Sequence, residues 1–441
     1  MKTTAGSVLI TEQNNELSGA APAPAALRGI YRGWHVIGVS ALSIGAVLGT
    51  AQFAFGLFIL PLEEQFGWSR TQVNVSLSIG AVSSLLSPFI GGLMDRIGAR
   101  WTMAGSIALV AIAFLLRSVM QELWQFYLFS AIMFAGMPGA TMMPAGRLVL
   151  TWFPRTRGRT MGWVTAGNNL GSGIVFPIVA GLISLVGWRW TWALMGLALL
   201  GLVMLVVLVI RDDTDDVKKE LGKRWAPEVA GDQPGMNPTD GLTTTEALYT
   251  STFWFLVTGM TLQQFVRTGV VSQLVPHLEQ VGFTGAAITG ALVLLAFFGM
   301  SSKLIFGRLS ETITARLAFV VVMVLQGIGL GILLVSGGSF VTWFAIVVFG
   351  LGMGGIGALT PLVIFDMFGL KQFGSIMGLA HSAIIIPVLL GPVIAGIIFD
   401  STDSYDLMFV ITIGLLVVAV GSLLLARVPK RKLDPDHPTP G

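Results

Sequence analysis

The sequence contains no cysteine, which excludes a disulfide, a thiolate nucleophile, a thiolate zinc site and a cysteine-held iron–sulfur cluster. Only 4 of the 441 residues are histidine, which argues against a metal site built from histidines. Charged residues make up 11% of the chain, less than half of the roughly 25% that is typical of soluble domains. The chain therefore lacks the polar surface that a soluble protein needs.

Apolar residues are present in large excess. They account for 54% of the chain, and the mean hydropathy is +0.80. The formal net charge is only +3, so the charge pattern does not indicate a nucleic-acid partner. This composition predicts a polytopic membrane protein.

A helix needs about 20 mostly apolar residues to cross the hydrocarbon core of a bilayer. Such segments must be helical, because lipid offers no partners to backbone N–H and C=O groups. The sequence predicts an all-α fold with twelve transmembrane helices in two pseudo-symmetric six-helix bundles. The predicted spans are Trp34–Leu60, Val73–Met94, Trp101–Arg117, Trp124–Leu150, Thr160–Val186, Trp190–Ile210, Ser251–Gln280, Ala287–Gly307, Leu317–Val335, Phe340–Phe365, Gly374–Ile398 and Tyr405–Ala426.

Hydrophilic segments divide the chain into five parts. Residues 1–30 are Ala/Pro-rich and polar and have no apolar signal-peptide core, so we expect a disordered cytoplasmic tail and no cleaved signal. Residues 31–211 and 248–428 are predicted to form the two six-helix bundles. Residues 212–247 are predicted to be the cytoplasmic linker, and residues 429–441 a cytoplasmic C-terminal tail.

The basic residues predict the orientation in the membrane. With a cytoplasmic N-terminus, 20 of the 26 Lys and Arg residues fall on the cytoplasmic side, as the positive-inside rule requires. We therefore expect a multi-pass protein of the cell membrane with both termini cytoplasmic. Separately, we expect a monomer. The other six basic residues are Arg70, Arg117 and Arg189 on the outer side and Arg147, Arg267 and Lys303 within spans.

The two halves of the chain repeat each other at a shift of about 216 residues. The matched segments include Pro61 to Gly67 with Pro276 to Gly282, Gly91-x-Leu-x-Asp95 with Gly307-x-Leu-x-Glu311, and Pro177-Ile-Val-Ala-Gly181 with Pro392-Val-Ile-Ala-Gly396. Ordered matches at a nearly constant shift indicate a duplication. Such duplications are typical of transporters whose binding site lies between the halves, near the membrane midplane.

The loop after the second span resembles the signature cytoplasmic loop of the major facilitator superfamily. It reads Gly91-Gly-Leu-Met-Asp95-Arg96-Ile-Gly98-Ala-Arg100. The resemblance implies that Asp95 lies near a helix N-terminus and pairs with Arg96 or Arg100, clamping helix ends in one transport state. The alternative is a solvated turn that only ends two helices. In the second half, Glu311 replaces the Asp.

Two further stretches are similar to the oxalate/formate antiporter and monocarboxylate transporter families. They are Phe55-Gly-Leu-Phe-Ile-Leu-Pro-Leu-Glu-Glu-Gln-Phe-Gly-Trp-Ser-Arg70 and Trp152-Phe-Pro-Arg-Thr-Arg-Gly-Arg-x-Met-Gly162. The superfamily resemblance extends from about Trp34 to Arg427. The narrower resemblance implies transport of a small organic anion, by proton symport or by anion exchange.

Arg267 is the clearest candidate for binding substrate. A cation at the bilayer centre costs about 2.5–3.5 kcal/mol on the translocon scale, so it requires a function or a partner. Arg267 lies near the middle of the seventh span, and its repeat partner Gln52 is predicted to face it across a central cavity. Gln263 and Gln264 lie one turn away. Arg267 either binds a carboxylate through two parallel hydrogen bonds or is a structural cation bonded to carbonyls.

Lys303 is the second candidate. The resemblance implies a substrate-binding Arg in the eighth span, where Lys303 stands. Some proton-coupled members carry an Asp one turn earlier, where this chain has Gly299. The alternative is that Lys303 extends its amine to the cytoplasmic interface. Arg147 lies about one turn from the end of its span, so we expect it to extend to the interface in this way.

No Asp or Glu lies deep in any predicted span, so two buried cations should attract anionic ligands. His381 is a candidate for proton coupling, because a His can titrate near neutral pH. The alternative is a packing residue, which is the commoner role of a His on an apolar helix. The substrate carboxylate could carry the proton instead. Asn168 and Asn169 either contact substrate or bond the adjoining helix.

These observations predict a secondary transporter with alternating access and no cofactor or metal. A Walker-type phosphate loop is absent from the sequence, which disfavours direct ATP drive. The alternatives are efflux of amphipathic compounds and, from another class, a membrane sensor that does not transport. A membrane enzyme is disfavoured, because no pair of nucleophile and base is recognisable.

Overall fold

The computed structural model describes residues 31–212, 241–337, 340–402 and 405–429. The predicted N-terminal tail, all but the first residue of the predicted C-terminal tail and most of the predicted linker lie outside these residues. Within them, nine helices are long and apolar enough to cross a membrane. Two of the nine are pairs of helices, interrupted by a positive φ at Gly98 and at Gly187. Ser251–Gln280, with 30 residues, is also long enough to span. The described residues therefore contain the twelve predicted membrane helices.

We number these helices α1 to α12. The first bundle comprises α1 (Arg32–Leu48), α2 (Arg70–Ser78 and residues 81–97), α3 (residues 99–118), α4 (Leu123–Ala140 and Met142–Trp152), α5 (residues 157–186) and α6 (residues 188–209). The second bundle comprises α7 (Ser251–Gln280), α8 (Gly285–Ile313), α9 (Ala315–Val335), α10 (Phe340–Gly354 and Ile356–Phe368), α11 (Phe373–Ser382 and Ile385–Thr402) and α12 (Asp406–Leu425). Short helices, Ile59–Phe66 and Thr244–Leu248, precede α2 and α7.

The first predicted span is not one regular helix. The α-helix ends at Leu48 and continues as a π-helical turn, Gly49–Phe53, and a 3₁₀ turn, Phe55–Phe58. A π-turn closes its hydrogen bonds over one more residue than an α-turn. Side chains after Leu48 therefore point in directions that a regular helix would not predict.

Three helices are broken in mid-membrane. The α4 helix is interrupted at Thr141, whose backbone angles are not helical, with φ −123° and ψ −119°. The α10 helix is interrupted at Gly355 and α11 between Ser382 and Ile385, although Gly355 and Ala383 keep helical angles. Non-helical backbone inside a membrane is tolerated where it is buried in protein or lines a cavity. These three breaks border the central cavity described below.

The bundles meet along two seams, α2 against α11 and α5 against α8. Both seams depend on glycine. A Cβ on Gly91 would overlap the carbonyl oxygen of Gly374, and a Cβ on Gly158 would overlap that of Gly307. The 216-residue shift converts the first pair into the second. The duplication therefore builds the same close backbone contact twice.

We call the end of the molecule where Arg211 leaves α6 and Gly241 leads towards α7 the linker face. Both glycine pairs lie near this end. Within the second bundle, the Leu242 N–H donates a hydrogen bond of 2.8 Å to the Phe368 carbonyl oxygen, which ties the segment before α7 to the end of α10 at this face. The two glycine contacts show that the bundles touch at the linker face in this structure.

Arg117 is buried between helices of the first bundle. Its side chain is 1% exposed and donates a hydrogen bond of 2.7 Å to Ser130. The guanidinium lies 4.9 Å from the ring centre of Phe126 and 5.6 Å from that of Trp192. Cation–π contacts compensate in part for the lost hydration. Arg117 therefore holds α3, α4 and α6 together at the end opposite the linker face.

Candidate functional site

A cavity of about 420 Å³ lies between the two bundles. This volume is within the range of about 300–1,000 Å³ that is typical of small-molecule sites. The α4, α5, α7, α8, α10 and α11 helices all contribute to its wall. The polar side chains at the cavity include most of the predicted site residues, namely Asn168, Asn169, Gln263, Gln264, Arg267, Lys303 and His381.

Arg267 projects from the middle of α7. Its Nε donates a hydrogen bond of 3.0 Å to the Oε1 of Gln264, one turn earlier. This bond orients the guanidinium and leaves both terminal nitrogens without an acceptor in the described part of the chain. A guanidinium held by Nε presents the paired donors that match the two oxygens of a carboxylate. A purely structural cation would be bound by backbone carbonyls, and among the described residues no carbonyl accepts a hydrogen bond from Arg267.

Lys303 lies on α8 and does not extend to the interface. Its Nζ donates to the Oδ1 of Asn169 at 2.5 Å and to the carbonyl oxygen of Thr165 at 3.1 Å. Both acceptors belong to α5, in the other bundle. The interfacial alternative for Lys303 is therefore wrong, and Asn169 bonds a helix across the bundle interface.

The charge in the cavity is positive. Arg267 and Lys303 both line it, and none of the described residues in its wall is an Asp or a Glu. Most of the remaining wall is apolar, with Met142, Met260 and Met353 among its residues. A low-dielectric cavity with uncompensated positive charge concentrates anions. The arrangement suits an anion that also has an apolar part.

Gln52 does not line this cavity, although it was predicted to face Arg267 there. It is exposed, and its neighbour Phe53 lines the wall instead. The prediction assumed a regular helix, whereas Gln52 lies within the π-turn. Gln263 does line the cavity, but its amide also donates to the Oε1 of Gln326 on α9 at 3.3 Å. Gln263 therefore links two helices of the second bundle.

Asp95 caps a helix of the other bundle at the linker face. Its carboxylate accepts hydrogen bonds from the backbone N–H groups of Gly374, at 2.9 Å, and Ser375, at 2.8 Å, and from the Ser375 hydroxyl, at 2.7 Å. First-turn N–H groups have no partner within their own helix. The N-cap residue of α11, Gln372, makes no side-chain cap. Asp95 therefore does what an N-cap side chain of α11 would do, but from α2.

Two predictions about this region are wrong. Asp95 pairs with Arg147, at 3.0 Å, and not with Arg96 or Arg100. Arg147 consequently does not extend to the interface, because a partly buried carboxylate lies within its reach. Arg100 instead donates through its side chain to the carbonyl oxygen of Val207, at 2.5 Å.

An acid of the second bundle caps a helix of the first bundle in the same way, a contact that the sequence analysis did not predict. Glu311 on α8 accepts a hydrogen bond of 2.7 Å from the backbone N–H of Arg159, in the first turn of α5. The N-cap residue of α5, Thr156, also makes no side-chain cap. Nearby, Arg157 and Asp366 form an ion pair at 2.8 Å. The internal repeat could have predicted this contact, since the 216-residue shift relates Asp95 to Glu311.

The absence of native cysteine allows this closed face to be tested with a single introduced thiol. Ser87 on α2 is 2% exposed, and its carbonyl oxygen lies where a Cβ on Gly378 of α11 would be. We call Ser87→Cys the seam reporter. A maleimide should label it only when α2 and α11 separate.

We expect Asp95→Asn to raise the labelling rate of the seam reporter by about tenfold. The substitution removes charge-assisted hydrogen bonds, each contributing about 1.5–3 kcal/mol, and leaves Arg147 without its anion. Glu64→Gln neutralises an exposed acid near the opposite face and serves as the control. Equal labelling of the two variants would contradict a clamping role for Asp95.

Known proteins share this architecture. A family model described as Major Facilitator Superfamily matches residues 41–369 and 293–440. Monocarboxylate transporter 2 of Homo sapiens is 22% identical over 415 residues, which cover 89% of this chain and 84% of that protein. An aspyridones efflux protein of Emericella nidulans is 24% identical over 335 residues, covering 74% of this chain and 64% of that protein. A crystal structure of the human organic anion transporter MFSD10 superposes with a TM-score of 0.66 at 15% identity, covering 89% of this chain and 99% of that one.

Proposed function

The chain belongs to the major facilitator superfamily, and from this premise we propose that it is a secondary active transporter of a small organic anion, monocarboxylate-like in charge. Members of this family are transporters that act on small molecules within the lipid bilayer, and not enzymes. The substrate class is our inference from the cavity.

The observation that carries the proposal is the pair of cations in one cavity. Arg267 and Lys303 both face the space between the bundles, and the described wall holds no acid to neutralise them. A bound carboxylate would supply the missing negative charge. Arg267 offers it paired donors, and Lys303 offers a point charge. Cationic drugs would be repelled by the same cavity.

The mechanism follows from the position of the cavity between two bundles that touch at the linker face. The substrate enters from the opposite face while the linker face is closed. It neutralises the cations, which lowers the cost of enclosing them in a dry cavity. The bundles then rock about the site, and the linker face opens.

The energy source is either a proton carried with the substrate or a second anion moving in the opposite direction. His381 lines the cavity at the end of the first segment of α11 and is the candidate for a titrating side chain. We further propose that the protein is a monomer in the cell membrane. Its linker face and both termini would be cytoplasmic, as the distribution of Lys and Arg indicates.

A second candidate is efflux of amphipathic compounds. The methionine-rich wall favours it, because flexible Met side chains adapt to varied apolar ligands. The similarity to a fungal efflux protein also supports it. This function would not depend on the charge of Arg267, and expression would confer resistance to cationic or neutral compounds.

Two measurements test the proposal. We expect purified protein to gain several degrees of thermal stability with at least one member of a panel of monocarboxylates and dicarboxylates, since a ligand that binds only the folded state stabilises it. In liposomes, uptake of that anion should require either a proton gradient or an exchangeable anion inside. Stabilisation by amphipathic cations alone would favour the efflux function.

A further inference from the structure

Lys303 makes a charged bond across the bundle interface. Its ammonium lies on α8, while its two acceptors, Asn169 and the carbonyl of Thr165, lie on α5. The backbones are also in contact here, because a Cβ on Gly162 would lie 2.6 Å from the carbonyl oxygen of Lys303. Lys303 therefore stands at the junction of the α5–α8 seam and the cavity.

The other seam has no such bond at the matching position. The 216-residue shift relates Lys303 to Ser87 on α2. The Ser87 hydroxyl donates to the carbonyl oxygen of Ser83, in its own helix, at 2.8 Å. Ser87 thus makes the backbone contact of its seam without a side-chain bond between bundles. Separation of α5 from α8 therefore removes the acceptors of the Lys303 ammonium. Separation of α2 from α11 breaks no side-chain hydrogen bond of Ser87.

We propose that Lys303 is a latch between the bundles, and that an anionic substrate opens the linker face by drawing its ammonium away from Asn169 and Thr165. The proposal rests on the anion transport proposed above. It also gives Asn169 a role. In the protein without substrate, Asn169 accepts the hydrogen bond of the Lys303 ammonium, and it does not bind the substrate.

Competition for the ammonium provides the mechanism. The acceptors on α5 are a neutral amide and a neutral carbonyl, whereas a carboxylate forms stronger, charge-assisted bonds with an ammonium. Arg267 and Lys303 both belong to the second bundle. An anion held by these two residues therefore adds no bond to the first bundle, and the transfer of the ammonium releases α5.

The latch favours exchange over net transport. Without an anion, the ammonium stays on α5 and the linker face stays closed. The empty carrier would then return slowly, while the loaded carrier crosses readily in both directions. A carrier of this kind moves one anion in for one anion out.

The seam reporter tests the latch without requiring transport. We expect Asn169→Ala to raise its labelling rate in anion-free buffer by about tenfold, the effect of losing one hydrogen bond to a charged group. Lys303→Met removes the latch from the other side at similar volume and should give the same rise, which protects the test if one variant folds poorly. Ser301→Ala is the control and should label like the parent, because the half-buried Ser301 lies on the side of α8 that carries the exposed Phe297 and Ile305.

The anion arm uses acetate, lactate, benzoate and oxalate as probes. We expect at least one to raise labelling in the parent and to have little further effect in Asn169→Ala. Asn169→Asp should resist the anion, because it gives the ammonium a permanent charged partner. Labelling of both Asn169→Ala and Lys303→Met at the Ser301→Ala rate would overturn the latch. Faster labelling of both variants with no response to any probe would support the latch and count against the anion substrate instead.

Discussion

Replacing Arg267 with Gln is expected to abolish uptake of the transported anion while leaving folded protein in the membrane. The guanidinium is the only group in the described cavity wall that offers paired donors to a carboxylate. Removing one partner of a desolvated ionic contact costs about 2–5 kcal/mol, so affinity should fall by at least about 30-fold. Flux in liposomes and thermal stabilisation by the anion both measure the loss.

Charge and geometry can be separated at this position. Arg267→Lys keeps the cation but loses the paired donors, so we expect it to retain part of the affinity. Lys303→Gln should also abolish uptake, since the second cation is lost. Arg308→Gln removes an exposed cation of α8 and serves as the matched control. Unchanged uptake in Arg267→Gln and Lys303→Gln would exclude the proposed site.

The second large effect is expected from a single methyl group at the α2–α11 seam. Gly91→Ala places a Cβ where the carbonyl oxygen of Gly374 lies, and two backbones cannot yield as a side chain does. Overpacking of this kind costs about 1–3 kcal/mol. We expect the linker face to open about tenfold more often, with faster labelling of the seam reporter and slower transport.

Gly105 provides a close control for this experiment. It lies within α3, and a Cβ added there meets no atom within 4 Å. Alanine is the better helix former, so Gly105→Ala should be neutral or slightly stabilising. Gly158→Ala tests the equivalent contact at the other seam and should resemble Gly91→Ala. Identical flux and labelling in Gly91→Ala and Gly105→Ala would refute the role of this contact.

The twelve-helix fold could be predicted because the bilayer imposes one strong rule on the sequence. Each span must be apolar and about 20 residues long, whatever it packs against. The seventh helix illustrates this, since Ser251–Gln280 was predicted from the sequence and has the same ends in the structure. Arg267 stands out for the same reason, because a cation in the middle of such a segment requires an explanation.

The partners of the charged residues could not be predicted in the same way. Arg147 lies 52 residues from Asp95 in the chain, so only the packing of α4 on α2 reveals the pair. The neighbours of Asp95 in the sequence, Arg96 and Arg100, were the natural choice, but neither forms an ion pair with it, and Arg100 donates to a carbonyl oxygen of α6 instead. The prediction for Gln52 was wrong for a local reason, because the sequence around Gln52 does not indicate the π-turn.

The exchanged caps of α5 and α11 have a consequence for the isolated bundles. The acid that satisfies the first turn of α11 belongs to the first bundle, and the acid that serves α5 belongs to the second. Each bundle expressed alone would carry one bare helix end, whose amides only water could satisfy. That turn should fray, and its amide protons should exchange quickly with deuterium until the complementary fragment is added.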